Sequence, residues 1–186
     1  MKLASHNTMT YLTPTKLWMR VINFTAKCQD KPILTQWNNG ARLFDLRIRF
    51  DKKNNPLFAH GLVEYKGGND IVISTLKQIN NLKCPTRLFL ELSNRDDRQE
   101  QLFKEFCERV ASKYTEITFF GGTNRNGKLI YYFGNRAPSI KGGYSSDNGG
   151  KLNDLYPLLY AKHNNKRHKN TQYNTDYLML DFIEIG

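Results

Sequence analysis

The 186-residue chain has no apolar run near the roughly eighteen residues that would cross a bilayer. Its first residues lack the basic start, apolar stretch and small-residue cleavage site of a secretory signal. The expectation is a soluble chain, cytoplasmic or peripheral to a membrane. Cysteine is scarce: Cys28, Cys84 and Cys107 are odd in number, widely spaced and without a CxxC pair. That spacing argues against a disulfide framework and a zinc site and leaves buried free thiols as the expectation. Acidic side chains are also few, 17 against 28 Lys and Arg, for a net charge of +11. Such a balance predicts attraction to phosphates on an anionic membrane surface, a phosphorylated small molecule or nucleic acid. No zinc finger, RNP-type aromatic motif or helix-turn-helix pattern accompanies the charge, so nucleic acid is the least supported partner. Proline and glycine are not in excess and no segment has a disordered composition, so one domain spanning residues 1–186 with a real core is expected.

Periodicity then orders the chain. LASHN is a short apolar entry that breaks into polar residues at His6, which predicts a strand ending there. Leu17, Val21 and Phe24 fall at helical spacing within a predicted helix over 16–24. In ARLFDLRIRF, Phe44, Leu46, Ile48 and Phe50 alternate with Asp45, Arg47 and Arg49, the pattern of a strand with one charged face. A turn at KKNNP and a short extended piece, PLFAHG, follow. Further on come a helix over 69–82 capped by Asn69 or Asp70, a strand over 87–92, a helix over 98–113, and strands over 115–119 and 128–133. Residues 134–150 read as a long Gly/Ser/Asn-rich loop, LYPLLYAK as a strand, HNNKRHKN as a basic loop with His163 and His168 exposed, and YLMLDFIEIG as a buried closing strand. Alternating strands and helices imply a parallel sheet, and the fold class expected is α/β.

Parallel strands in such a fold are covered on both faces, so the charges inside them cannot simply point to water. An unpaired buried ion costs several kcal/mol or so, and Asp45, Arg47, Arg49, Glu91 and Asp181 must therefore neutralise one another or line a solvent-filled site. A purely structural ion-pair network is the plainer alternative. Against it stand His6 and His60, each placed where a strand gives way to a loop. Two imidazoles beside an arginine have the parts for proton transfer on either side of a phosphate: one takes a proton from a nucleophile and the other gives one to the leaving group. The guanidinium can meet phosphoryl oxygens with paired hydrogen bonds.

Together, SHNT, the block GARLFDLRIRFDKKNNPLFAHG and LDFIEIG, in that order, resemble the phosphatidylinositol-specific phospholipase C superfamily, whose central pattern is approximately G-x-R-x-x-D-[IL]-R, a turn, then HG. The resemblance implies a distorted TIM-type barrel and a two-histidine phosphodiesterase. It implies His6 as general base, His60 as general acid, Asp181 orienting His6, and Arg47 binding phosphate, with Asp45 paired to Arg47. Asn7, Arg49, Glu91 and Ser93 are supporting candidates. Eukaryotic members place acidic residues at the positions of both Asp45 and Arg47 and hold Ca²⁺. A guanidinium cannot ligate that ion, so the likeness is to the bacterial, metal-independent type, with no cofactor and no metal expected.

Three departures qualify the likeness. Asn7 stands where bacterial members carry Asp, and Ser93 replaces a lysine that holds inositol. Moreover, 186 residues is short for an eight-stranded barrel, which takes about 250. The barrel is therefore expected to be irregular or to lack an element, within residues 163–176. The function expected is phospholipase C-like cleavage of a phosphodiester in a phosphoinositide or related phospholipid. The alternative is a catalytically weak phosphate- or anionic-lipid-binding module on the same barrel.

Overall fold

A computed structural model describes residues 1–92, 96–148 and 156–186. In chain order its elements are β1 (Lys2–Ser5), α1 (Leu17–Ala26), α2 (Ile33–Asn38), β2 (Ala41–Phe50), β3 (Pro56–His60), β4 (Val63–Glu64), α3 (Gly68–Leu82), β5 (Thr86–Leu90), α4 (Asp97–Lys113), β6 (Phe119–Asn124), β7 (Ile140–Gly142), α5 (Ser145–Asn148), α6 (Pro157–Asn170) and β8 (Tyr177–Leu180). Six strands pair in parallel in the spatial order β6–β5–β2–β1–β8–β7, and β3 and β4 form an antiparallel excursion at the end of β2. Read around the sheet, chain order runs as in a TIM barrel, with the last strand returning to the first. The fold is an incomplete TIM-type barrel. Among the described residues no pairing joins β6 to β7, so the barrel lacks its strands there and not within 163–176 as expected.

Strand alternation sorts the core. Phe44, Leu46, Ile48 and Phe50 belong to the large buried cluster that also holds Val72, Leu76 and Ile79 of α3 and Phe103, Phe106 and Val110 of α4. On the inner face, Ala4, Leu43, Phe120, Tyr177 and Met179 form a second, smaller cluster. Each large apolar side chain buried this way contributes about 1.5–3 kcal/mol. Continuing the alternation by one step, from Ala4 to His6, from Leu43 to Asp45, and from Met179 to Asp181, lifts the inner face from apolar to charged.

Several expected elements differ. Neither Asn69 nor Asp70 caps α3: the N-cap is Gly67, with no side-chain hydrogen bond. The strand expected over 115–119 begins only at Phe119 and runs to Asn124. Residues 128–133 are not a strand of the sheet: the backbone N–H groups of Ile130 and Tyr131 donate to the Gly122 carbonyl at 2.8 and 2.9 Å, covering the open edge of β6. That approach requires glycine, because a Cβ at Gly122 would lie 1.9 Å from the Tyr131 carbonyl oxygen. The loop expected over 134–150 contains β7 and α5; its low hydrophobicity hid a short strand that pairs in parallel with β8.

LYPLLYAK and HNNKRHKN are, in the described residues, the single helix α6, with Pro157 in its first turn and Arg167, His168 and Lys169 in its last, where cations favour the helix dipole. His163 is exposed as expected, but His168 is buried, its Nε2 3.0 Å from the Tyr160 hydroxyl and its Nδ1 2.7 Å from that of Tyr173. The helical stripe Leu17, Val21 and Phe24 does not face the core. These residues are 75%, 70% and 54% exposed, and Met19 and Ala26 are the buried positions of α1. No helix among the described residues is long and apolar enough to cross a membrane.

Candidate active site

The carboxyl ends of the parallel strands converge on one cavity of about 540 Å³, where active sites lie in this class of fold. His6 follows β1, Asp181 follows β8, Tyr144 follows β7 and Arg125 follows β6, while Arg47 and Arg87 project from β2 and β5. His60 ends β3, and His6, His60, Arg47, Arg87, Arg125, Tyr144 and Cys28 all line the cavity. The chain turns sharply after each strand that flanks the first histidine: Asn7 and Phe182 both have φ +45°. Asparagine tolerates that conformation, whereas a bulky phenylalanine there is strained. Asp45 fixes the first turn, its backbone N–H donating to Thr8 Oγ1 at 2.9 Å while its carboxylate accepts from the Asn7 N–H at 3.1 Å.

The His6 Nδ1–H donates to Asp181 Oδ1 at 2.6 Å, so the neutral ring turns its Nε2 lone pair toward the cavity, 3.0 Å from Arg47 Nη2. The His60 Nδ1–H likewise donates to the Ala26 carbonyl at 2.6 Å. The two rings lie 6.2 Å apart, edge to face, and each Nε2 is 3.2 Å from the same Asn7 Nδ2. Both lone pairs therefore converge on the Asn7 amide nitrogen at the cavity wall, with a guanidinium beside it.

Arg47 is held from below by Asp45 at 3.3 Å and Glu91 at 3.1 Å, and Arg87 reaches the other oxygen of Asp45 at 2.9 Å. Burial by itself would push the Asp45 carboxyl up, but Arg87 and Arg47 outweigh it and hold it well below the usual carboxylate range. Burial also opposes ionisation of Glu91, and Arg47 followed by His60 draws it below its ordinary value. Burial would lower the Arg47 guanidinium; Asp45 and Glu91 reverse this and keep it charged. Burial, reinforced by Arg47, pushes His60 down to about 4. Folded His60 thus stays neutral where an unfolded histidine takes up a proton near pH 6.5, and acid should cost stability progressively between those two values.

Arg49 lies outside the cavity lining. It donates to the Gly61 carbonyl at 2.6 Å and the Glu91 carbonyl at 3.0 Å and pairs with Glu64 at 3.4 Å, so it braces the turn after His60. Ser93 lies outside the described residues. His6, His60, Arg47, Asp181, Asn7, Asp45 and Glu91 are brought together.

Sequence reasoning passed over Arg87, Arg125 and Gln29 here. Arg87 completes the charge network, and Arg125, 3.6 Å from Glu91, stands at the cavity wall. Tyr144 stacks on the His6 ring at 3.8 Å and 9°. Gln29, wholly buried, donates through Nε2 to the carbonyls of His6 and Leu180 at 3.0 and 2.9 Å and accepts from the Ile183 N–H at 3.2 Å. It ties the end of β1 to the end of β8, and with them His6 to Asp181. Nothing in its local sequence marks it, because its partners are 23, 151 and 154 residues away. A Gln29→Leu variant strands buried backbone groups at about 1–3 kcal/mol each. We expect a lower denaturant midpoint and a steeper loss of turnover than of substrate binding.

His6, Cys28 and Asp181 offer ligand atoms within 4.8 Å of one another. They fit a metal poorly. The imidazole and carboxylate are already closed on each other at 2.6 Å, and Arg47 stands 3.0 Å from the same ring. Burial, followed by the charge of Asp181, pushes the Cys28 thiol well above its ordinary value, whereas a metal needs the thiolate.

The class that fold and site define is an incomplete α/β barrel with two histidines and an arginine at the carboxyl ends of its strands. No family model matches the chain. In sequence it is similar to the 1-phosphatidylinositol phosphodiesterase of Staphylococcus aureus strain Newman, at 26% identity over 137 residues, 67% of this chain and 44% of that protein. The chain thus spans less than half the length of the curated relatives it matches. In fold it is similar to a double mutant of the S. aureus phosphatidylinositol-specific phospholipase C, with a TM-score of 0.63 and 17% identity over 97% of this chain and 84% of that one. The Listeria monocytogenes enzyme of the same name gives a TM-score of 0.62 at 16% identity over 97% and 87%. The relatives in both comparisons are the superfamily that the motifs resemble.

Proposed function

We propose that the chain cleaves the phosphodiester of a phospholipid, of the phosphatidylinositol type or a related head group, by metal-independent two-histidine acid–base catalysis. The convergence of the His6 and His60 Nε2 atoms beside Arg47 carries this reading. His6, held by Asp181, takes the proton from a hydroxyl neighbouring the phosphate, and that oxygen bonds to phosphorus. The bond from phosphorus to the glycerol oxygen breaks, and His60 gives the departing oxygen its proton, leaving a cyclic phosphate. Arg47 stabilises charge on the non-bridging oxygens. In the empty site Arg47 helps keep His60 neutral. An arriving phosphodiester anion offsets that field and favours the protonated acid.

The cavity mouth supports an amphiphilic substrate. Ile22, Leu62 and Pro157 line it, and the exposed Leu17, Trp18, Val21 and Phe24 of α1, with Tyr156, Leu158 and Leu159 at the start of α6, extend an apolar rim. Phe24 and Tyr156 stack across the two elements at 5.8 Å. A net charge of +11 adds attraction to anionic lipid. Each such side chain buried in a membrane interface is worth about 1.5–3 kcal/mol. Leu17→Asp with Val21→Asp is expected to weaken binding to phosphatidylglycerol-containing vesicles tenfold or more while leaving turnover of a water-soluble phosphodiester unchanged.

Phosphorus NMR on a panel of phosphodiesters, including phosphatidylinositol, tests the reaction. A cyclic phosphate formed equally fast with and without chelator is the expected result. Dependence on Ca²⁺ sinks the metal-free mechanism, and undiminished anionic-lipid binding with no turnover leaves only a binding module.

A further inference from the structure

Three guanidiniums face the cavity, and the proposed reaction uses one. The described residues that line it include Arg47, Arg87 and Arg125, and among them there is no carboxylate and no lysine. Asp45 and Glu91 lie outside the lining, and Asp181 is closed on His6 at 2.6 Å. Arg47 engages both Asp45 and Glu91, at 3.3 and 3.1 Å. Arg87 shares Asp45 through Nε at 2.9 Å, but its Nη2 meets only the Met179 sulfur at 3.2 Å, a weak acceptor. Arg125 stands 3.6 Å from Glu91 Oε1, which already accepts the Gly61 N–H at 3.0 Å. Among the described residues the Arg125 side chain makes no hydrogen bond, so two cations at the cavity wall keep donors in reserve.

Strand pairing sets where they stand. Ile48 of β2 pairs with Phe58 of β3 on one edge and with Leu90 of β5 on the other. His60 and Leu62, on the β3–β4 excursion, therefore lie to one side of Arg47, and Arg87 and Phe89 of β5, with Arg125 beyond β6, lie to the other. In the proposed reaction His60 protonates the departing glycerol oxygen, so the head group extends toward the β5–β6 wall. The Phe89 ring there carries the Arg87 guanidinium at 4.6 Å and that of Arg47 at 5.7 Å.

We propose that Arg87 and Arg125 form a second anion subsite, so that the substrate's head group carries a phosphomonoester in addition to the phosphodiester that is cleaved. The proposal rests on the phosphodiesterase reading and names its substrate class. A phosphomonoester brings a charge of about −1.5 to −2 and three acceptor oxygens, which guanidinium forks match with paired hydrogen bonds. A bare polyol head group is matched less well: its hydroxyls need acceptors, and the neutral polar side chains of the described lining are the hydroxyls of Thr25, Tyr144, Ser145 and Ser146. Neutralising Asp45 does not explain Arg87, because Arg47 already pairs with that carboxylate.

Calorimetry with glycerol 1-phosphate and glycerol 1,3-bisphosphate tests the subsite without turnover. The bisphosphate is expected to bind about ten- to a hundredfold more tightly, and Arg125→Gln and Arg87→Gln should each remove most of that preference. Arg87→Gln risks the fold because Asp45 is buried; Arg125 is 54% exposed, so its variant carries the test. Lys113→Gln, at the end of α4 and outside the cavity lining, matches the charge change and should leave the preference intact. Equal affinity for the two ligands overturns the proposal, as does an equal loss of preference in Lys113→Gln, which would assign it to net charge. Steady-state kinetics on short-chain, monomeric phosphatidylglycerol and phosphatidylglycerol phosphate should show a higher kcat/KM for the latter, narrowed in Arg125→Gln. Equal turnover of the two overturns the subsite and leaves the phosphodiesterase reading standing. Tight bisphosphate binding that depends on Arg125, without turnover of any phosphodiester, upholds the subsite and overturns that reading instead.

Discussion

Asp181→Asn is expected to lower turnover by about 10⁴-fold with the fold intact, by analogy with the orienting carboxylate of serine-protease triads. The carboxylate accepts from His6 Nδ1 at 2.6 Å and so obliges the ring to carry its proton there. An amide in its place can present N–H to Nδ1, which moves the ring proton to Nε2 and removes the lone pair facing the cavity. His6→Ala removes the proposed base altogether and should cost about 10²–10⁴-fold. Because the two act as one unit, the double variant should be little worse than the more damaging single one. Steady-state kinetics, with circular dichroism to confirm folding, check this. Full additivity would mean that Asp181 acts on substrate directly.

Arg47→Leu should damage stability as well as catalysis. Asp45 and Glu91 are 0% and 1% exposed, and both pair with this guanidinium. Removing it leaves the buried Glu91 carboxylate leaning on the mostly solvent-exposed Arg125, 3.6 Å away. Breaking a buried pair by deleting one partner costs about 3–5 kcal/mol, readable as a shift of the denaturant midpoint. Arg47→Lys keeps the charge and should recover much of that stability. It cannot reproduce the guanidinium fork toward Asp45, Glu91 and a phosphoryl oxygen together, so turnover should stay low. Equal recovery of stability and turnover by lysine would show that only charge is needed.

The alternating stretch Ala41–Phe50 was legible because a strand buried on one side and charged on the other leaves a period of two in the sequence. The same reasoning assigned α4, whose Asp96 cap accepts from the Gln99 N–H at 3.1 Å. It failed for α6, a helix with little apolar periodicity whose buried positions include Asn165 and His168. Asn165 donates to the Asp181 and Phe182 carbonyls at 2.8 and 3.1 Å, and Lys169 to those of Ile183 and Ile185, both at 2.9 Å. Helix α6 is anchored by hydrogen bonds to the end of the chain, and such bonds leave no hydrophobic pattern. The exposed stripe on α1 misled in the opposite sense: its spacing is that of a core face, and only the packed chain shows it turned to solvent.

The sequence by itself determined the charged strand face, the two histidines at strand ends, the positive balance and the motif order, because these are local patterns or fixed compositions. Tertiary structure decided which of those charges meet. It closed β8 against β1 so that Asp181 reaches His6 across 175 positions of chain, and it left the barrel open between β6 and β7. It also set Asn7 between two imidazoles with one oxygen unpaired. Pairings of that kind depend on distances between residues remote in sequence, and packing alone fixes those distances.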